Sequence, residues 1–256
     1  MNLLEINGLT AAYGKNRVLD KVTFSIQSGE LCALLGLNGS GKTTLLNSIC
    51  GFVRSAGDVR INGADCSKMN EKQRAGYISY LPQTFSDQEG RNVIDVVLMG
   101  FNPHLGLLEF PGAEHRLKAK EALKTVGLEN KINRRFDTLS QGEKQLVILS
   151  RCLVQDSPLM LLDEPDSSLD YPNRHIVLTH IKNITRDKDY AGLMTLHDPN
   201  YALNYCDRIL LLKNGTIRSE INIKESSAEM IEERLSEVYG DIRVIKEEKI
   251  FVVIKK

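Results

Sequence analysis

The chain has 256 residues, 42% hydrophobic and 26% charged, the balance of an ordinary globular protein able to bury a substantial core. Its 33 basic and 33 acidic side chains cancel, which excludes a dominant electrostatic footprint for nucleic acid or a membrane surface. No apolar run approaches the roughly 20 residues that span a bilayer, no signal-peptide core opens the chain, and the five scattered cysteines lack a C-x-x-C pair, so they read as small core residues in a reducing cytosol.

In chain order, Leu3-Leu4-Glu5-Ile6 and Val18 to Ile26 alternate apolar and polar about Gly14-Lys15-Asn16, the pattern of antiparallel strands joined by a turn. Tyr13 precedes that turn; alone it is a packing aromatic, and its spacing ahead of the next motif also suits stacking on a nucleotide base. The apolar run Leu31 to Leu35 leads into Gly36-Leu37-Asn38-Gly39-Ser40-Gly41-Lys42-Thr43 and then Thr44-Leu45-Leu46. Buried strand, glycine-rich turn and helix start in that sequence are the setting of a phosphate-cradling P-loop. Glycines let successive N–H groups converge on one anion, and the helix N-terminus adds partial positive charge. Asn38, Gly39, Ser40, Gly41 and Thr44 are expected to line the phosphates, Lys42 to reach the terminal ones, and the Thr43 hydroxyl to ligate magnesium.

Gly51 is a plausible helix stop, Gly57 to Gly63 a strand ending in a turn, and Tyr77-Ile78-Ser79-Tyr80-Leu81 a short strand ended by Pro82, which puts Gln83 on a loop. From Arg91 to Leu153 the character becomes helical, with Asn92 to Met99 and Ala113 to Val126 joined through Asn102-Pro103-His104-Leu105-Gly106. This reads as a helical lobe inserted into an α/β core. His104 and His115 lack partners at metal spacing and read as surface or loop residues.

Leu139-Ser140-Gln141-Gly142-Glu143 precedes an apolar helix from Gln145 to Leu153. Ser140 and Glu143 make a capping box, and the same geometry, a hydroxyl and a glycine N–H at a helix start, is an anion site. Pro158 to Pro165 is a buried strand closing on Asp163 and Glu164. As a turn such a pair is unremarkable; after a P-loop it fits a magnesium-directing Asp163 and a Glu164 that poises water. Asp166 to Asp170 is a polar loop, with Asp170 and Pro172 starting a helix to Arg186. Gly192 to Leu196 is another buried strand, ending at His197, and Arg208 to Ile217 turns at Asn214-Gly215. The tail offers a helix from Ala228 to Tyr239 and a hairpin, Ile242 to Ile245 with Ile250 to Ile254, about Lys246 to Lys249.

These elements, in this order and spacing, resemble the ATP-binding cassette family across nearly the whole chain. The resemblance implies a single α/β domain, 1–256: a P-loop NTPase core with an antiparallel β subdomain (1–86 and 157–222), a helical lobe (87–156), and a C-terminal helix plus hairpin (223–256). It assigns Tyr13 to the base, Gly36 to Thr43 to the Walker A loop, Gln83 to the Q-loop, Leu139 to Glu143 to the signature, Leu159 to Glu164 to Walker B, Ser168 to Asp170 to the D-loop and His197 to the switch. Glu164, His197 and Gln83 are then catalytic, Ser140, Gly142 and Asp170 nucleotide-contacting, and Thr43, Gln83 and Asp163 the magnesium set, with ATP and Mg²⁺ the cofactors. Gln141 and Glu143 depart from the usual Leu-Ser-Gly-Gly-Gln, and Asp166 and Ser168 from the usual Glu-Pro-Thr-Ser-Ala-Leu-Asp.

Cassettes of this family pair head to tail, so the resemblance implies a homodimer in which the P-loop of one copy and the signature of the other enclose each ATP. Leu98-Met99-Gly100-Phe101-Asn102-Pro103-His104-Leu105-Gly106, with the stretches His197 to Leu203 and Tyr205 to Arg208, is similar to importer cassettes serving iron-chelate, haem and cobalamin permeases. The implied partners are integral membrane permease subunits at the cytoplasmic face of the membrane and, indirectly, an extracytoplasmic substrate-binding protein, with no nucleic acid. A soluble cassette ATPase of the iron-sulfur assembly or DNA-repair type is one alternative, and a non-enzymatic nucleotide switch, disfavoured by the presence of Glu164 and His197, is another. The absence of long heptads argues against the repair type, and the 100–106 loop against the assembly type.

Overall fold

The computed structural model describes every residue except 85–87, 89, 107 and 249. β1 (Asn2–Tyr13) and β2 (Asn16–Gln27) are followed by β3 (Leu31–Leu35), α1 (Lys42–Cys50), β4 (Ser55–Ile61), β5 (Ala64–Asp65), α2 (Glu71–Tyr77) and β6 (Ile78–Leu81). Next come α3 (Val93–Leu98), α4 (Ala113–Thr125), α5 (Gln141–Gln155), β7 (Leu159–Asp163), α6 (Tyr171–Asp187) and β8 (Ala191–Thr195). The chain closes with α7 (Pro199–Tyr205), β9 (Arg208–Lys213), β10 (Thr216–Asn222), α8 (Ala228–Tyr239), β11 (Ile242–Glu247) and β12 (Ile250–Lys255).

Two sheets carry the core. An antiparallel one runs β2-β1-β4-β5, and a second runs β10-β9-β3-β8-β7-β6, parallel from β9 to β6 with β10 antiparallel at its edge. The parallel strands are apolar on both faces, as a sheet covered on both sides demands. Leu31, Ala33, Leu35, Met160, Leu162, Met194, Ile209 and Leu211 face the helical side. Cys32, Leu34, Leu159, Leu161, Leu193, Leu210 and Leu212 alternate with them toward α1 and the antiparallel sheet. All five cysteines are buried and free.

The strand order makes the site. β3, β8, β7 and β6 lie side by side and parallel, so the segments leaving their carboxyl ends emerge in one row: the 36–41 loop, His197, Asp163 with Glu164, and Pro82 with Gln83. Ligands of open parallel sheets bind along this edge.

Between β6 and β7 the elements among the described residues are helices. α3, α4 and α5 share one cluster with short 3₁₀ turns over 99–104, 129–131 and 136–138, and its core includes Val97, Phe101, Leu123, Phe136 and Ile148. The boundary expected between residues 86 and 87 falls on Ser86 and Asp87, outside the described residues.

Three local expectations need correction. Tyr77 is not the start of a strand but the end of α2, a helix begun by an Asn70–Gln73 capping box. α5 starts at Gln141 instead of Gln145, because the Ser140–Glu143 box initiates it directly. Asn16 belongs to β2 rather than to the turn. The tail forms α8 and a hairpin, and Lys249 of its expected turn is outside the described residues. Among the described residues no helix is long and apolar enough to cross a membrane.

Candidate functional site

Glycine is required in the 36–41 loop by space and by backbone. A Cβ on Gly36 would stand 2.4 Å from Leu212 O and 2.6 Å from Ser40 Oγ; Gly39 and Gly41 have φ of +78° and +107°. Gly41 caps α1 without any side-chain bond, so the first N–H groups of the helix stay open toward the loop. Lys42 is 7% exposed, and its Nζ donates to Gly36 O at 2.8 Å and Leu37 O at 3.4 Å. Burial pulls its pKa below the usual lysine value, and the nearby carboxylates of Glu164 and Asp163 partly oppose that.

This loop is one wall of an open pocket of 440 Å³, lined by Val18, Asn38, Gly39, Ser40, Gly41, Lys42, Thr43, Thr44, Gln83, Glu164 and His197. Gln83 Nε2 donates to Glu164 Oε2 at 2.7 Å. His197 Nε2 lies 2.5 Å from Glu164 Oε1. Glu164 is 6% exposed and held at φ +51°, a left-handed conformation costing a non-glycine residue about 1–3 kcal/mol. Its backbone is pinned on both sides. Glu164 N donates to Thr195 Oγ1 at 2.8 Å, and its carbonyl accepts from Gln145 Nε2 at 2.9 Å and Ser167 Oγ at 3.1 Å.

Asp163 lies beneath, 1% exposed. Its Oδ1 accepts from Thr195 Oγ1 at 2.7 Å, while its Oδ2, like Ser40 Oγ, is buried with no hydrogen-bond partner among the described residues. Such atoms are costly unless something else satisfies them. The orphaned carboxylate oxygen, the Thr43 hydroxyl and the Gln83 amide make a hard-oxygen set that fits Mg²⁺ beside a polyphosphate. Thr195 and Gln145 were not singled out in the sequence, although a buried threonine inside an apolar strand and a glutamine inside an apolar helix were signals to follow.

The remaining site candidates lie elsewhere. Tyr13 is 53% exposed and does not line the pocket. Ser140 is exposed, accepting from Glu143 N at 3.3 Å and donating its own N–H to Glu143 Oε2 at 3.0 Å. Gly142 packs against the loop before Asp170: a Cβ there would stand 2.9 Å from Ser168 O. Asp170 caps α6, accepting from Asn173 N at 3.1 Å. Neither Ser140 nor Gly142 is among the residues lining the P-loop pocket of their own chain. The glutamate at position 143 also finds a partner, since Lys131 Nζ pairs with its Oε1.

A second concavity, 710 Å³, opens between α1, α2, β6 and α5, with Phe52, Met69, Arg74, Tyr80, Pro82, Arg151 and Gln155 among its walls. Phe52 is 70% exposed, and its ring centroid lies 5.8 Å from that of Tyr80. The 100–106 segment is tied to the same elements: His104 Nε2 is 2.6 Å from Gln155 O, and Lys72 Nζ donates to Leu105 O at 2.5 Å. Pro82 joins this groove directly to Gln83 in the pocket.

Comparison with known proteins agrees with this geometry. The family model described as ABC transporter matches residues 19–167. A protein of Helicobacter pylori named "Probable iron chelatin transport ATP-binding protein" is 34% identical over 214 residues, covering 83% of this chain and 84% of its own. An inward-facing metal-chelate type ABC transporter superposes with a TM-score of 0.81 at 26% identity, over 99% of this chain and 96% of that one. A bacterial ABC transporter cassette solved as a dimer gives 0.78 at 27% identity, over 86% and 98%.

Proposed function

The chain belongs to the ABC transporter family and is an ATPase of that family, and from that premise we propose that it energises import of an iron–siderophore or related metal chelate through a separate membrane permease. The observation that carries the catalytic part is the convergence of Gln83 and His197 on the two oxygens of Glu164 at the mouth of the P-loop pocket.

In this reading the loop amides and Lys42 hold the phosphates, and Tyr13 stacks on the base. Glu164 polarises the attacking water, and His197 contacts the γ-phosphate. Mg²⁺, held by Thr43, Asp163 and Gln83, would neutralise charge on the phosphates when bound. Lys42, whose ammonium is now held by loop carbonyls, exchanges those acceptors for phosphate oxygens. The strained Glu164 backbone, fixed by Thr195 and Gln145, aims the carboxylate into the pocket without reorganisation at the moment of reaction.

Ser140 and Gly142 do not line this pocket, so one copy alone supplies only part of the enclosure. A homodimer arranged head to tail places the second copy's Ser140 and Gly142 over the γ-phosphate, with Asp170 beside them. ATP binds the closed pair better than the open pair and shifts the population toward it; hydrolysis reverses the shift.

The Phe52 groove, continuous with Gln83 through Pro82, is the surface for the permease, which puts the chain at the cytoplasmic face of the membrane and only indirectly in touch with an extracytoplasmic binding protein. The cargo assignment is supported by the names of the Helicobacter pylori relative and the metal-chelate transporter. Uptake of radiolabelled iron chelate by cells lacking the chain tests it. Uptake is expected to be lost, restored by the parent, and not restored by Glu164→Gln or Phe52→Asp. Undiminished uptake in the deletion strain would remove the iron-chelate role and return the soluble-ATPase reading.

A further inference from the structure

Asp166 is the position at which the Walker B loop departs from the threonine usual in this family, and it is 7% exposed. A carboxylate there is expensive unless paired. Burial raises its pKa above the ordinary carboxyl value, and Arg174 is the principal charge opposing that. Arg174 Nε lies 3.5 Å from Asp166 Oδ2.

The same guanidinium makes two further contacts, one in the same loop and one on a helix. Its Nη2 donates to Leu169 O at 3.2 Å, the carbonyl immediately before Asp170. Its Nη1 donates to the Tyr201 hydroxyl at 3.4 Å, with the guanidinium carbon 5.2 Å from the Tyr201 ring centroid. Tyr201 is on α7, the helix that begins two residues after His197. One planar cation therefore ties together both ends of the loop that runs from Glu164 to Asp170 and the helix after His197. A guanidinium, with its forked donors and stackable face, suits that task where an ammonium does not.

We propose that Arg174 is a positioning residue for ATP hydrolysis: by pairing with Asp166, bonding Leu169 O and lying on Tyr201, it fixes the Asp170 loop and the His197 helix in one relation to Glu164. Asp166 and Arg174 form a matched pair, so removing either alone is worse than removing both. The proposal rests on the catalytic roles given above to Glu164 and His197.

The test measures steady-state ATPase of the full chain against ATP concentration, normalised to folded protein and well below each variant's thermal midpoint. Arg174→Gln is expected to lower kcat about 10-fold with KM within about 2-fold, the signature of a misplaced reacting group rather than weaker ground-state binding. Arg174→Lys should not recover it. Asp166→Thr added to Arg174→Gln should recover about 3-fold of the lost kcat but not the rest, since no buried carboxylate is then left unpaired while the Leu169 and Tyr201 contacts are still missing.

Unchanged kcat in Arg174→Gln overturns the proposal. So does a double variant no better than the single one, or a loss that vanishes on normalising to folded protein. Glu164→Gln in the same assay keeps the two levels apart: its retained activity would sink the catalytic assignment itself, whatever Arg174 does.

Discussion

His197 Nε2 and Glu164 Oε1 are 2.5 Å apart although they leave different strands, because β7 and β8 are parallel neighbours with Asp163 opposite Thr195. Gln83, leaving β6 on the other side of β7, takes the second carboxylate oxygen. The carboxylate is thus oriented from both sides by the protein's own side chains, which is what the water-polarising role proposed for it requires.

Replacing Glu164 by Gln keeps the shape of this arrangement and removes its basicity. ATP affinity should stay within about 3-fold of the parent while turnover falls by about 10² to 10⁴. Equilibrium binding of a fluorescent ATP analogue alongside phosphate release checks both halves. Near-normal turnover would take Glu164 out of the chemistry.

Gly142→Ala separates catalysis from folding. Alanine favours a helix over glycine by up to about 1 kcal/mol, yet the added methyl stands 2.9 Å from Ser168 O and 3.3 Å from Leu169 Cδ2, so the loop before Asp170 must move. The thermal midpoint should change little. ATPase should fall by about 10-fold or more, the scale of a small misplacement at a reacting site.

Asp207 gives a pH-dependent stability test remote from the nucleotide. Burial tends to raise its pKa, but the Leu31 amide at 3.1 Å and Arg186 at 2.7 Å, with Lys224 nearby, outweigh burial and hold it below the ordinary 3.8. A carboxyl depressed by folding adds stability that is complete above its unfolded pKa and is lost as pH falls through the folded one. Asp207→Asn should therefore cost about 1–3 kcal/mol at pH 7. The gap should narrow as pH drops below 3.8. Denaturant melts at neutral and acid pH measure it; a pH-independent gap would assign the loss to packing.

Much of this site was readable in the chain because each motif carries its own local cause. Gly41 must be a glycine to hold its φ, Ser140 and Glu143 announce a helix start, and Asp170 with Pro172 announces another. The helix ending at Tyr77 escaped notice because an aromatic beside Ile78 and Tyr80 looks like strand continuation, while the Asn70–Gln73 box that begins the helix is short and flanked by polar residues. What local pattern could not supply is strand order. Only the placing of β8 between β3 and β7 makes Thr195 the bridge from Asp163 to the Glu164 backbone. Arg174 is hidden for the same reason, since its partners come from two separate segments, the 166–169 loop and α7.

In the proposed function, two copies of the chain share each nucleotide. Sedimentation of the Glu164→Gln chain with ATP and Mg²⁺ tests this most directly, because slow hydrolysis preserves the closed pair. The predicted result is a dimer with ATP, a monomer with ADP, and a monomer with ATP once Ser140→Arg is added. A chain that stays monomeric at saturating ATP, or a dimer indifferent to both the nucleotide and Ser140, would contradict it.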